Sequence, residues 1–313
     1  QKLKKIFKEN DYDVVHTHAS KAGILGRLAA DAAKVPFIVH TVHGQAFHPY
    51  QAAWKNKLYI FLEKYAAKHC HKIYAVAQAM IDQCVNAGVA KRSKYGLVYS
   101  GMELADFCDA VPDKKLRKEL GIPANTLVVG KIARIFELKG YETLVEAAGK
   151  IVQEFPNLRF LIVGDGILRP TIEEEIEERG LQEYFVFTGL VPPSEVCKYT
   201  AQMDILTHLS LREGLPRTAV QALASSIPVV AHPLDGTPEV VLDGVSGYLC
   251  EAENSDEVAE AVLKLLKDPE LRRKMGESGQ QLVKKLFDWR VMADILEEEY
   301  YKGLRKLGYL TNE

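Results

Sequence analysis

Paired cysteines are absent. Cys70, Cys84, Cys108, Cys197 and Cys250 are scattered singly, which rules out a disulfide framework. Five dispersed thiols in a chain of 313 residues read as reduced groups and point to the cytoplasm. Long apolar runs are absent too: stretches such as residues 158–163 are strand-sized, too short to span a bilayer. The opening QKLKKIFKEN lacks the apolar core of a signal peptide and is instead basic and amphipathic. No sign of charge dominates, with 40 Lys and Arg against 42 Asp and Glu and a net charge of −2. That balance removes the electrostatic footprint of a nucleic-acid-binding protein. Internal repeats and low-complexity tracts are missing as well.

What is present is a rhythm. Short β-rich runs alternate with helical spacing: 14–17, then a helix over 20–33; 37–41, then 52–68; 73–76, then 78–86; then 97–99. Strands bounded by helices in this way imply a parallel sheet with right-handed crossovers. A polar stretch over 101–123 interrupts the pattern and reads as a linker. Strand signals resume at 127–133, 158–163, 184–187, 204–207, 227–231 and 248–250, with helices at 142–154, 168–179 and 216–225. The fold expected is α/β, with two Rossmann-like, doubly wound parallel-sheet domains. Residues 1–107 form the first and 108–285 the second, while a helix over 286–313 packs back toward the first. The first half carries only about four strands where five or six are usual, and Gln1 is an odd first residue. The expectation is that sequence is missing upstream.

Ligands of open parallel sheets bind at the carboxyl ends of the strands, so the loops there carry the functional argument. The first loop of the second half holds Arg134 and Lys139 before Gly140, a fork and a point charge suited to a diphosphate. Solvated surface cations would read the same way. Val163-Gly164-Asp165-Gly166 and Thr188-Gly189-Leu190-Val191 are glycine turns, the second placed where backbone could border a flat base. Glu213-Gly214-Leu215-Pro216 opens a helix. Pro216 suits the first helical turn, Gly214 lets backbone approach a ligand, and the Glu213 carboxylate can accept from sugar hydroxyls. Gln221 follows about two helical turns later. A fifth loop, Asp235-Gly236-Thr237-Pro238-Glu239, again combines a glycine, a hydroxyl and a helix start.

In the first half, His16 and His18 share one face of a strand, and His40 and His43 flank the next strand end. No carboxylate or cysteine joins them at ligand spacing, so no metal site is assigned. His43, beside Gly44, is the better placed for substrate. The basic start (Lys2, Lys4, Lys5) offers a peripheral contact to the inner membrane surface, although a solvated helix is the simpler account.

These motifs resemble those of glycosyltransferase family 4, of GT-B fold. Ala133-Arg134 with Lys139-Gly140, Val163-Gly164-Asp165-Gly166 and Glu213-Gly214-Leu215-Pro216 occur in the family's order, and Gly236-Thr237-Pro238-Glu239-Val240-Val241 resembles its Gly-x-x-Glu-Val-Val segment. The run 13–18 and Ser20-Lys21-Ala22-Gly23 resemble the family's N-terminal domain. The resemblance implies two domains facing a cleft and retaining transfer of a hexose from a UDP- or GDP-sugar to a saccharide or lipid-linked acceptor. It implies no cofactor and no obligatory metal. Arg134 and Lys139 would hold the diphosphate, Glu213 the donor sugar, and Gly214 and Leu215 the same pocket. Gly189, Leu190 and Val191 would border the base, and His43 would lie near the reacting sugar. The family's second glutamate, which binds the ribose, is replaced by Gln221, whose amide can still both donate and accept. Two alternatives stand beside this reading: a non-catalytic nucleotide-sugar-binding module and a GT-B nucleotide-sugar epimerase.

Overall fold

Runs rich in Val, Ile, Leu and Phe form ten strands among the described residues, all paired in parallel register. The computed structural model describes residues 1–311, and the chain divides into two units. One is Gln1–Met102 together with the chain from Trp289 on; the other is Glu103–Asp288.

The first unit begins with α1 (Lys2–Glu9), β1 (Val14–His18), α2 (Ser20–Ala33) and β2 (Phe37–Val42). It continues with α3 (Ala53–Ala66), β3 (Lys72–Ala75), α4 (Gln78–Asn86) and β4 (Tyr95–Leu97). The strand order is β1-β2-β3-β4. Right-handed crossovers that always advance in one direction lay their helices on a single face, and the period-two alternation of β2 follows from it. Ile38 packs into the core of Val15, Ile73, Met80 and Ile81, while Phe37 and Val39 point the other way into a second cluster.

The second unit runs α5 (Ala105–Cys108), α6 (Lys114–Glu119), β5 (Leu127–Ile132), α7 (Tyr141–Glu154), β6 (Leu158–Val163), α8 (Arg169–Glu178) and β7 (Phe185–Phe187). Then come α9 (Val196–Thr200), β8 (Ile205–His208), α10 (Arg217–Ala224), β9 (Val229–Ala231), α11 (Thr237–Val240), β10 (Gly247–Leu249), α12 (Ser255–Lys267) and α13 (Pro269–Leu286). The stretch expected to be a linker thus contains α5 and α6, and the unit boundary falls at Met102. The sheet order β10-β9-β8-β5-β6-β7 reverses direction between β5 and β8. Such a reversal leaves a crevice outside the carboxyl ends of those two strands.

The last helix, α14 (Trp289–Lys306), returns to the first unit. Leu304, Met292, Leu296 and Tyr300 cover the face of Phe37, Val39, Tyr74 and Val98. Gly303 lies so close that a Cβ would stand 2.3 Å from the Phe37 ring, so a larger residue would force the ring or α14 to shift.

Several strand and helix limits differ by a residue or more from the sequence expectation, two of them instructively. β4 is Tyr95–Leu97, not 97–99, because Tyr95 rather than Tyr99 turns into the core. Pro216 is the residue before α10 and not in its first turn.

Candidate functional site

The crevice at the β5 and β8 ends collects the charged residues of two loops. Gly140, in the left-handed region at φ 63°, lets the Arg134–Gly140 loop turn back against β8; a Cβ there would meet the Leu209 carbonyl at 2.0 Å. The Leu211 N–H donates to the Leu138 carbonyl at 2.9 Å, tying the two loops together. Lys139 is thereby brought to Glu213, Nζ to Oε1 at 2.6 Å, with both side chains about one-fifth exposed. The Glu213 N–H donates to Asp235 at 2.8 Å, and the Gly236 N–H to the Gly214 carbonyl at 3.2 Å, which joins the fifth loop to the fourth. The expected Glu213–Pro216 turn is therefore held from both sides. The Leu215 side chain is buried, leaving its backbone for the crevice, and Gln221 is half-buried on α10. No side chain caps the start of α10, so its first N–H groups suit an anion.

Two residues that sequence reasoning passed over sit beneath this pair. His208, the last residue of β8, is buried, bonded through Nδ1 to the Thr218 hydroxyl at 3.2 Å, with Nε2 3.8 Å from Glu213. Burial pushes its pKa down to about 4. The ring is neutral at pH 7, and its approach to Glu213 is a dipolar contact and not an ion pair. Burial raises the Glu213 pKa, but the Lys139 ammonium and the hydrogen bonds from Lys139 and Ser210 outweigh it and hold the carboxyl below its usual range. Lys131, on β5, is fully buried with Nζ 4.8 Å from the Tyr141 ring centre. Burial, reinforced by Lys139, brings its pKa down to about 7. A lysine at an inward strand position carries no sequence signal of burial; the Tyr141 ring that shelters it is the only cue.

The Lys131 charge has a consequence for stability. Its folded pKa lies below its ordinary value of 10.5, so the unfolded chain binds the proton more tightly. Its contribution therefore improves as pH rises from about 7 toward 10.5, by an amount on the order of a few kcal/mol. Lys131→Met is expected to flatten this rise; urea midpoints of both proteins between neutral and alkaline pH check it.

The other loops are stitched in parallel. Gly164 bonds Gly189, N–H to carbonyl at 3.1 Å, and a Cβ on Gly166 would meet the Ile135 carbonyl at 2.1 Å. These glycines are demanded by loop-to-loop contact. Leu190 stands out from the surface, with Val191 half-buried beside it. Arg134 is exposed, its guanidinium 5.0 Å from the Phe136 ring centre, and makes no contact with the Lys139–Glu213 pair.

In the first unit, His18 Nδ1 and His43 Nε2 lie 2.9 Å apart at the strand ends, and the His16 and His18 rings stack. His16 turns to the Tyr300 hydroxyl of α14 and to Thr41 Oγ1 at 2.7 Å. Burial, with His18 and His43 alongside, pushes the His16 pKa to about 3. His40 is directed away, onto Thr17 at 3.0 Å and against Gly23 of α2. Of the four histidines, His18 and His43 are exposed, and His16 is tied to α14.

Two parallel-sheet α/β units, one with a charged crevice at its switch point, are the architecture of the GT-B fold. The family model for glycosyl transferases group 1 matches residues 112–282, and that for glycosyltransferase family 4 matches residues 1–106. The chain belongs to the group 1 glycosyl transferases and is a transferase enzyme. It is 29% identical over 270 residues to the UDP-Gal:alpha-D-GlcNAc-diphosphoundecaprenol alpha-1,3-galactosyltransferase of Escherichia coli, covering 85% of this chain and 69% of that protein. It is 27% identical to a D-inositol 3-phosphate glycosyltransferase of Corynebacterium kroppenstedtii, covering 94% of this chain and 68% of that one. Among solved structures, Anabaena HepE in complex with UDP superposes with a TM-score of 0.85 at 23% identity, covering 96% of this chain and 81% of that one.

Proposed function

We propose that this enzyme transfers a hexose, with retention of anomeric configuration, from a UDP- or GDP-sugar to a saccharide or lipid-linked acceptor. The observation that carries the reading is the Lys139–Glu213 pair, 2.6 Å apart at the crevice where β5 and β8 part. In this reading the C1–O bond to the diphosphate breaks, its electron pair leaving with the diphosphate, and the acceptor oxygen bonds C1 on the face just vacated as its proton passes to the departing diphosphate oxygen. Charge grows on the diphosphate, where Lys139 and Arg134 stabilise it. Glu213 accepts from the sugar hydroxyls, held ionised by Lys139. The start of α10 and the backbone of Gly214 and Leu215 line the sugar pocket. Gly189, Leu190 and Val191 border the base, and Gln221 takes the ribose.

The chemistry is proposed to need no metal and no cofactor. A lipid-linked acceptor is supported by the Escherichia coli relative, a galactosyltransferase to alpha-D-GlcNAc-diphosphoundecaprenol. The cysteines, all unpaired, suit a reducing cytoplasmic setting, and no helix among the described residues is long and apolar enough to cross a membrane.

Calorimetric titration with UDP, GDP and ADP is the test of the donor site. Micromolar binding of UDP or GDP, unaffected by chelator, is expected. Binding of none of the three, or binding only with added metal, would overturn the reading. Product anomers read by NMR decide retention.

A further inference from the structure

Behind its loop 43–46 the first unit holds a cavity of about 300 Å³, lined from α2, α3 and α4 and from β2, β3 and β4. Of the residues that line it only Ala19, His43 and Gly44 are exposed, so it opens at the strand ends. Inside, the buried Arg27–Glu63 pair uses only part of its bonding capacity. Arg27 donates through Nη2 to Glu63 Oε2 at 2.7 Å and through Nε to the Gly23 carbonyl. Arg27 Nη1 and Glu63 Oε1 have no hydrogen-bond partner among the described residues, and neither has the hydroxyl of the buried Tyr95. All three residues line the cavity. Buried polar atoms are almost always bonded, and leaving one unbonded costs stability. Three of them around one cavity call for a molecule that bonds them together.

The lining says what kind of molecule. Arg27 and Glu63 cancel each other's charge, so an ion would be buried there without a counterion. Two adjacent hydroxyls fit instead: one accepts from Nη1 and its neighbour donates to Oε1. Val42, Ile73 and Val89 make other parts of the wall apolar. The C–H faces of a saturated ring can cover such a wall, whereas a string of waters cannot bond to it. The volume stands at the low end for small-molecule sites and limits the occupant to about one ring.

We propose that this cavity binds one neutral polyhydroxylated ring, with adjacent hydroxyls on Arg27 Nη1 and Glu63 Oε1 and a third on Tyr95. A free monosaccharide and the terminal ring of a saccharide chain share this chemistry. The site lies within the first unit, so the proposal goes beyond the transfer reading and does not depend on it.

Saturation-transfer NMR on the whole chain tests it, with glucose, galactose, maltose, lactose and glucuronate as probes. At least one of the neutral sugars should bind, with a Kd of about 1 mM for a ring of about twelve non-hydrogen atoms. Binding of a disaccharide marks the ring as a chain end, and binding of a hexose alone marks it as free. Glucuronate should bind more weakly, because its carboxylate meets no counterion. Tyr95→Phe should weaken binding about fivefold, the worth of one neutral hydrogen bond. Its urea midpoint should hold or rise, since the hydroxyl removed has no partner in the protein. Ala46→Leu, at a half-buried position of the loop, fills the cavity and should abolish binding with far-UV circular dichroism unchanged. Both variants spare the Arg27–Glu63 pair, which the fold needs. Saturating UDP should not displace the sugar, because the donor crevice belongs to the other unit. Transfer to none of the sugars, equal transfer in both variants, displacement by UDP, or tighter binding of glucuronate than of glucose would each overturn the proposal.

Discussion

Lys139→Ala is expected to lower kcat/KM by about 10²–10³-fold, the usual effect of removing one preorganised group that faces developing charge. Nucleoside diphosphate affinity should fall with it, whereas nucleoside affinity should not, because the role proposed for the lysine is toward the diphosphate. The fold should persist: Lys139 is about one-fifth exposed, and Glu213 keeps the Asp235 tie on its N–H. Glu213→Gln separates the two halves of the pair. It should leave diphosphate binding nearly intact, or tighten it by freeing the ammonium, while turnover drops because the sugar loses an ionised acceptor. Steady-state kinetics with calorimetry on both variants checks this. Unchanged diphosphate affinity in Lys139→Ala would remove the β5 loop from the site.

Arg27→Met is expected to be the most damaging single change for stability. Arg27 is wholly buried, donating to the Gly23 carbonyl at 3.0 Å and to Glu63 at 2.7 Å, beside a cavity of about 300 Å³ that also meets Gln45, Cys84 and Tyr95. Breaking a buried ion pair from one side leaves an uncompensated charge and costs about 3–5 kcal/mol. Replacing both partners, Arg27→Met with Glu63→Leu, should recover most of that loss, since two apolar groups need no counterion. A double-mutant cycle by urea unfolding measures the coupling; a double variant as unstable as the single one would mean that the guanidinium acts through its backbone bond to Gly23.

The sequence disclosed the alternation of strands and helices well, because parallel strands buried on both faces read as apolar runs, and α2, α4 and α14 have capable helix formers between clear breaks. It placed the loops of the crevice correctly along the chain, since glycine, proline and charge cluster there for local reasons. What it could not disclose is tertiary. Lys139 and Glu213 are distant in sequence and meet only because β5 and β8 are neighbours across the sheet reversal. His208 and Lys131 look like ordinary strand residues until burial strips them of water. Gly164 and Gly166 read as turn residues, yet the carbonyls of Ala133 and Ile135 are what forbid a side chain there. The helices α5 and α6 were hidden in a polar stretch because they are short and bury little: Phe107 alone in α5, nothing in α6.

The return of α14 sets an order on biosynthesis. Phe37, Val39, Tyr74 and Val98 emerge early from the ribosome, but the residues that cover them, Tyr300 and Leu304 among them, are translated after every strand of the second unit. A nascent chain therefore finishes its later-made unit first and carries one bare sheet face on the earlier one until α14 has been made. During that interval the exposed face depends on chaperones or on speed, and a pause in the codons before Trp289 would lengthen the exposure.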